Sequence, residues 1–302
     1  HAYVKLSEGC NQSCSFCAIP SFKGKLHSRT LESLVKEVTN LVKKGYKDFS
    51  FVSQDSSSYL RDLGHNDGLE QLIDAVEKID GVKTARILYL YPSTTTLNLI
   101  DKIADSKVFV NYFDMPLQHI SQNMLKIMKR GKGAEKLIEL MNYMRSKPNS
   151  FVRTTFIAGH PGESEEDFEE LCSFVEEFGF DRGNVFSYSD EEGTSAETRD
   201  DKIEQELIDE RAEILGDIIS QTTIKSLEND IGKSFEVYID GESEEHEYLL
   251  SARKTIWAPQ IDGEIYINDN EDNIPIVFGE IYEVEATELA GDKLLAKIIR
   301  KV

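Results

Sequence analysis

From residue 2 to about residue 187 the chain alternates short β-branched or aromatic runs with longer stretches of helical period. That alternation commits it to repeated β-α units, since strands joined through crossover helices lie parallel. The expected strands are 3–7, 48–54, 84–89, 109–115, 151–158 and 184–187. Six strands are too few for the eight-stranded β/α barrel, so a partial, open barrel is expected. The first crossover helix is marked by Leu31, Leu34, Val35, Val38, Leu41 and Val42 at three- and four-residue steps, with Gly45 ending it. After Thr194 a polar connection leads to a long charged helix, about 203–229, whose Leu207, Ile208, Ile214, Leu215, Ile218 and Ile219 form a stripe to cover the barrel. Gly232 marks its end. From Lys233 onward the pattern changes to alternating strands at 234–239, 264–267, 281–288 and 294–299, a small β-barrel. The expected division is therefore a core domain over 1–200, a connecting helix over 201–231 and an all-β domain over 232–302.

Four cysteines occur, and three of them, Cys10, Cys14 and Cys17, lie within eight residues directly after the first strand. That is no disulfide framework; in a reducing compartment such a cluster reads as a metal site. Close thiolates suit zinc or an iron-sulfur cluster. Cys172 stands apart among Phe168, Leu171, Val175 and Phe178 on an expected helix, where it reads as a buried free thiol. With no fourth cysteine beside the trio, a cubane held by these three would keep one iron open to an outside ligand. Structural zinc completed by His27 is the other reading.

A site at the mouth of such a barrel draws on the carboxyl ends of the strands. The second strand ends in Ser53-Gln54-Asp55, the fourth runs into Met115-Pro116-Leu117-Gln118-His119, and the fifth holds Arg153 and passes into Gly159-His160-Pro161-Gly162-Glu163. Gln54, Gln118 and Arg153 suit the polar parts of a ligand, Arg153 best of all a carboxylate. The glycines at 159 and 162 let backbone approach a ligand closely. Each has a structural alternative: Ser164 with Asp167 reads as a helix cap, His119 as a hydrogen-bonded loop histidine, and Gln54 and Asp55 as the start of a serine-rich turn.

The formal charge of −21 argues against a chain whose main task is to grip a phosphate backbone. A basic partner fits it, with solubility alone as the other explanation. No run approaches the ~20 apolar residues of a membrane span, and the first residues lack the features of a signal peptide, so no membrane partner and a cytoplasmic location are expected. A chain that opens at His1 rather than at a methionine suggests that something upstream has been removed.

The cysteine spacing of three and then two residues, with Phe16 before the last cysteine, resembles the signature of the radical S-adenosylmethionine superfamily. Further segments narrow the likeness: Tyr3-Val4-Lys5-Leu6-Ser7-Glu8-Gly9-Cys10-Asn11, Ala18-Ile19-Pro20-Ser21-Phe22-Lys23-Gly24-Lys25, Leu88-Tyr89-Leu90-Tyr91-Pro92-Ser93, Pro116-Leu117-Gln118-His119-Ile120-Ser121 and Arg153-Thr154-Thr155-Phe156-Ile157. They resemble the methylthiotransferases, above all the RimO type, which modifies an aspartate of a small-subunit ribosomal protein near the decoding centre. The sister MiaB type modifies adenosine in transfer RNA. The resemblance implies an α/β fold, a partial (β/α)6 TIM-like radical SAM barrel followed by a small all-β TRAM barrel. It implies a 4Fe-4S cluster on Cys10, Cys14 and Cys17, whose open iron binds S-adenosylmethionine, and cleavage of that cofactor to a 5′-deoxyadenosyl radical. Phe16, Gln54, Gln118, Arg153, Gly159 and Glu163 are the residues expected around the cofactor. A second 4Fe-4S cluster belongs to an N-terminal domain that this sequence does not contain, and an electron donor such as flavodoxin or ferredoxin is implied as a partner.

Charge bears on the choice between the two substrates. Residues 233–302 hold seven basic and sixteen acidic side chains, a poor surface for nucleic acid and a good one for a basic ribosomal protein. Glu242, Glu244, Glu245 and Glu247 form the expected acidic face, a solvated loop being the plainer reading. Trp257 reads either as a surface anchor or as filling of the small core. Three functions from different classes stand: the ribosomal-protein methylthiotransferase, its transfer-RNA counterpart, and a non-catalytic zinc-bound module.

Overall fold

The computed structural model describes residues 1–270 and 273–302. They fall into two compact units, residues 2–220 and residues 221–302, with His1 grouped in the second. In chain order the first unit runs β1 Ala2–Lys5, β2 Ser7–Glu8, α1 Ile19–Lys23, β3 His27–Ser28, α2 Leu31–Lys43, β4 Asp48–Val52, α3 Gly68–Val76, β5 Thr84–Ile87, α4 Leu97–Ala104, β6 Phe109–Asp114, α5 Gln122–Ile127, α6 Ala134–Arg145, β7 Phe151–Ala158, α7 Glu165–Phe178 and β8 Arg182–Ser187. The helix α8, Gln205–Glu228, contains the boundary between the units.

Six strands make an open sheet in the order β1-β4-β5-β6-β7-β8, every neighbour parallel. Alternation along these strands sorts residues to two faces. Phe49 and Phe51 of β4, Ala85 and Ile87 of β5, Phe113 of β6 and Val152 and Phe156 of β7 join one apolar core with Leu34 and Val38 of α2 and Leu171 and Val175 of α7. The intervening positions are polar although buried: Asp48, Ser50, Arg86, Asp114, Arg153 and Thr155. A fully solvated inner face would leave these groups exposed, and an apolar one would have no place for them. The stripe on α8 divides, with Leu215 and Ile219 in the core, Ile208 in a smaller buried cluster, and Leu207 and Ile214 exposed.

The first strand ends earlier than its sequence suggests. Beyond Leu6, Ser7 and Glu8 pair antiparallel with Ser28 and His27, so a small ribbon closes the base of the cysteine loop.

In the second unit β9 Ser234–Glu242, β10 Leu250–Lys254, β11 Ile265–Asp269, β12 Ile281–Ala290 and β13 Lys293–Lys301 close a five-stranded barrel in the order β10-β11-β13-β12-β9. The strand β10 carries no β-branched or aromatic residue, which hid it from propensity; pairing on both edges makes it a strand. Trp257 is 1% exposed and fills this unit's interior instead of anchoring at the surface.

Where the inner face lies farthest from the strand ends that carry the cysteine loop, Arg86 is fully buried against Asp48, with Nη2 at 2.7 Å from its carboxylate and Nη1 at 2.9 Å from Ser50 Oγ. Removing one partner of a buried pair costs about 3–5 kcal/mol because the other charge stays desolvated. Arg86→Met is expected to lose that much in urea unfolding, and adding Asp48→Asn is expected to recover part of it. Equal stability of Arg86→Met and the parent would contradict the pair's role.

Candidate active site

The cysteine loop is fixed at nearly every residue. Gly9 has φ of +74°, and a Cβ there would lie 2.2 Å from the Lys25 carbonyl oxygen, so only glycine lets the two chain segments meet. Across this contact Cys10 N–H donates to the Gly24 carbonyl at 3.2 Å. Asn11 Oδ1 accepts from Leu26 N–H at 3.1 Å, and Gln12 Nε2 donates to Asp55 at 2.8 Å. Asp55 is itself held by Ser57 and Ser58, whose serine-rich turn it caps.

Ser15, buried between Cys14 and Phe16, is tied through all three of its polar groups. Its N–H donates to the Met128 carbonyl at 3.1 Å, its carbonyl accepts from Ala196 N–H at 2.9 Å, and its hydroxyl lies 3.0 Å from His160 Nε2. His160 Nδ1 is 2.9 Å from the Pro161 carbonyl, which can only accept. The ring proton therefore sits on Nδ1, and Nε2 accepts from Ser15. Phe16 and Tyr188 pack edge-on against the same ring.

The loop and the strand ends enclose a cavity of about 320 Å³. Its lining includes Cys10, Cys14 and Cys17 with Phe16, Gln54, Gln118 and Arg153, so seven of the nine expected site residues converge on it. Gly159 and Glu163 do not line it. The space beside Gly159 is taken by Ile208, which a Cβ would meet at 2.6 Å, and that beside Gly162 by Asp201 and Arg199. The close approach expected at these glycines is thus to the chain's own side chains. Glu163 has a fully buried side chain that accepts from Gly159 N–H at 3.1 Å and from Arg211 at 2.8 Å. It braces the turn that carries His160. The structural alternatives hold for two neighbours: Ser164 and Asp167 form a capping box on α7, and His119 Nδ1 accepts from the N–H groups of Ile120 and Ser121.

Arg153 is already engaged. Its Nη1 lies 3.0 Å from Asp114, and the Asn184 amide, turned to satisfy both its ends, accepts from Nη2 at 2.8 Å. Gln118 lines the cavity with φ of +71° and Tyr89 with +59°, a backbone conformation that costs a non-glycine residue of order 1–3 kcal/mol and gathers at functional sites.

Two features of this lining fit a bound iron-sulfur cluster and cofactor. Gln54 Oε1, Gln118 Oε1 and Arg130 Nε are buried polar atoms without partners, which a polar ligand would satisfy. Burial pushes the Cys10 thiol up to about 11 and raises Cys17 as well, so thiolates here need a metal's charge beside them. His27, the ligand on which the zinc reading relied, is exposed on β3 and outside the lining. Cys172 is half-buried on α7, also outside it.

The Radical SAM superfamily pattern matches residues 4–175 and the TRAM domain pattern residues 231–299. A ribosomal protein uS12 methylthiotransferase RimO from Aliarcobacter butzleri is 80% identical over 302 residues, covering 99% of this chain and 68% of that relative. The RimO of a Sulfurovum species is 62% identical over 301 residues, covering 100% of this chain and 68% of its own length. The chain belongs to the RimO family. Solved structures agree on the fold: coproporphyrinogen III oxidase HemN from Escherichia coli, a radical SAM enzyme, aligns with a TM-score of 0.54 at 16% identity, over 73% of this chain and 52% of that one. The radical S-adenosylmethionine methyltransferase TsrM from Kitasatospora setae gives 0.52 at 17% identity, over 65% of this chain and 37% of its own.

Within this RimO chain, Arg130, Tyr91, Asn184 and the Ser15–His160 pair are site residues that the sequence alone does not single out. Tyr91 and His160 stand in motifs that carry the family likeness or follow a strand; Arg130 follows a helix instead, and only the fold brings it to the cavity.

His160 yields a pH test. Burial lowers its pKa below the ordinary 6.5, so in acid the unfolded chain binds a proton that the folded chain resists. Stability then falls as pH drops through 6.5 toward the folded value. Urea midpoints at about pH 7.5 and 5.5 are expected to fall further for the parent than for His160→Gln; equal falls would contradict the neutral, Nδ1-protonated ring.

Proposed function

We propose that this chain carries the radical S-adenosylmethionine chemistry by which an aspartate of ribosomal protein uS12 receives a methylthio group at its β-carbon. The observation that carries this reading is the convergence on one cavity of three thiols and three buried, unpartnered polar atoms. Cys10, Cys14 and Cys17 would hold a 4Fe-4S cluster with one iron open. When bound, cluster and cofactor together supply an organic radical able to take hydrogen from an unactivated carbon.

The chain's own residues bind, orient and shield. Gln54 and Gln118 offer amides to the polar parts of S-adenosylmethionine, and Phe16, Tyr89 and Phe186 give the cavity apolar walls that keep water from a radical. Asp114 and Asn184 hold Arg153 in place, so its guanidinium orients a ligand as part of a triad rather than as a free cation. Gly159 and Glu163 serve by fixing His160 and, through it, the cysteine loop.

In this reading residues 1–200 perform the chemistry, 201–231 connect, and 232–302 recognise the substrate. The loop ahead of β10 supports the last assignment. Glu242, Glu244 and Glu247 are exposed, while Glu245 is tied to Lys293 at 2.7 Å and to Tyr266, and beside them Tyr248 is 90% exposed. An acidic loop with an exposed aromatic suits a basic protein surface. Family membership favours the ribosomal protein over transfer RNA, and a flavodoxin or ferredoxin as electron donor and the cytoplasm as compartment complete the proposal. Among the described residues no helix is long and apolar enough to cross a membrane.

Recombinant uS12 is expected to bind with affinity that weakens as salt rises, and Glu242→Lys, Glu244→Lys and Glu247→Lys together to weaken it about tenfold or more. Transfer RNA is expected not to compete. Salt-insensitive binding of uS12, or tight binding of transfer RNA, would overturn the substrate assignment.

A further inference from the structure

Arg130 has an unusual set of partners for a buried cation. It is 5% exposed, and its polar partners here include no carboxylate. Its Nη1 donates to Cys14 Sγ at 3.4 Å, and its Nη2 donates to the Pro116 carbonyl. The guanidinium carbon lies 4.4 Å from the centroid of the Tyr91 ring, and the Tyr91 hydroxyl is 3.5 Å from the same Cys14 sulfur. One sulfur thus faces a guanidinium donor and a phenolic hydroxyl, from separate parts of the chain and stacked on each other. Among the described residues Cys10 Sγ accepts from the Gln12 N–H alone, at 3.4 Å.

We propose that Arg130, stacked on Tyr91, is a positioning residue that raises the reduction potential of the cluster by donating to the Cys14 sulfur. This rests on the reading of Cys10, Cys14 and Cys17 as cluster ligands. Reduction adds one electron from an external low-potential donor, with no bond made or broken, and part of the added charge resides on the cysteine sulfurs. A hydrogen-bond donor and a positive charge at one of those sulfurs stabilise the reduced state more than the oxidised one. The low-dielectric surroundings magnify the effect, since Arg130 is buried and shielded from water. The Pro116 carbonyl and the Tyr91 ring fix the fork, so the donor meets the sulfur without reorganising. The arrangement also distinguishes the two arginines of the cavity: Arg153 has its charge matched by Asp114, whereas Arg130 retains its charge for the thiolate.

The test uses the chain reconstituted anaerobically with iron and sulfide, titrated with dithionite in the presence of mediators and followed by the paramagnetic signal of the reduced cluster. Arg130→Gln is expected to lower the midpoint by about 60 mV or more, a tenfold loss of reduced cluster at a fixed ambient potential. Arg130→Lys, which keeps the charge but loses the planar fork, and Tyr91→Phe, which loses only a hydroxyl, are expected to shift it less and in the same direction. Unchanged midpoints in variants that hold a full cluster would overturn the inference while leaving the cluster assignment standing. Failure of the parent to take up iron and sulfide would instead remove the ligand reading and this inference with it. Should Arg130→Gln lose its cluster, the midpoints of Arg130→Lys and Tyr91→Phe decide, because a merely structural role would change cluster content without moving the potential.

Discussion

The three bonds of Ser15 are the constraint on which the site depends. A loop of eight residues bearing three thiols has no regular secondary structure to hold it, and loops of that kind ordinarily sample many conformations. Here the hydroxyl, N–H and carbonyl of one buried serine are bound to His160, Met128 and Ala196, groups contributed by three different parts of the chain. Gly9 and Gln12 secure the other side through Lys25 and Asp55. The thiols are therefore placed by a polar framework that draws on several strand ends at once, and Glu163 and Arg211 matter because they hold the turn from which His160 projects.

The same logic explains the polar inner face of the sheet. Each parallel strand must satisfy helices on one side and a cavity on the other, and period-two alternation lets it do both. Phe51 and Phe156 pack outward into the core, while Arg86, Arg153 and Thr155 point the other way. Ion pairs such as Arg86 with Asp48 and Arg153 with Asp114 make that inward polarity tolerable at near-complete burial. The second pair also fixes Arg153, a side chain that a ligand in the cavity would meet.

Much of this is legible in the sequence. The six parallel strands follow from β-α alternation, the cysteine loop, Gln54 and Gln118 stand out because chemistry in such folds gathers after strands, and Arg153 stands out as a charged residue inside one. What escapes does so for physical reasons. The strand β10 lacks β-branched residues and exists through its neighbours. Arg130 lies between α5 and α6, where no strand-end rule applies, and its approach to Cys14 is a tertiary fact. Gly159 and Glu163 sit in a motif that looks ligand-binding in one dimension, yet in three dimensions the space beside them is filled by Ile208 and Arg211. A linear motif records which residues are special without recording whether a ligand or a neighbouring helix made them so.

The central claim is that three sulfur side chains, and no fourth, anchor an iron-sulfur cube in this cavity. Iron and acid-labile sulfide per chain after anaerobic reconstitution test it most directly. About four of each are expected for the parent and for Cys172→Ala, and a large loss for Cys14→Ala. A single zinc per chain, or equal loss from both cysteine variants, would contradict it.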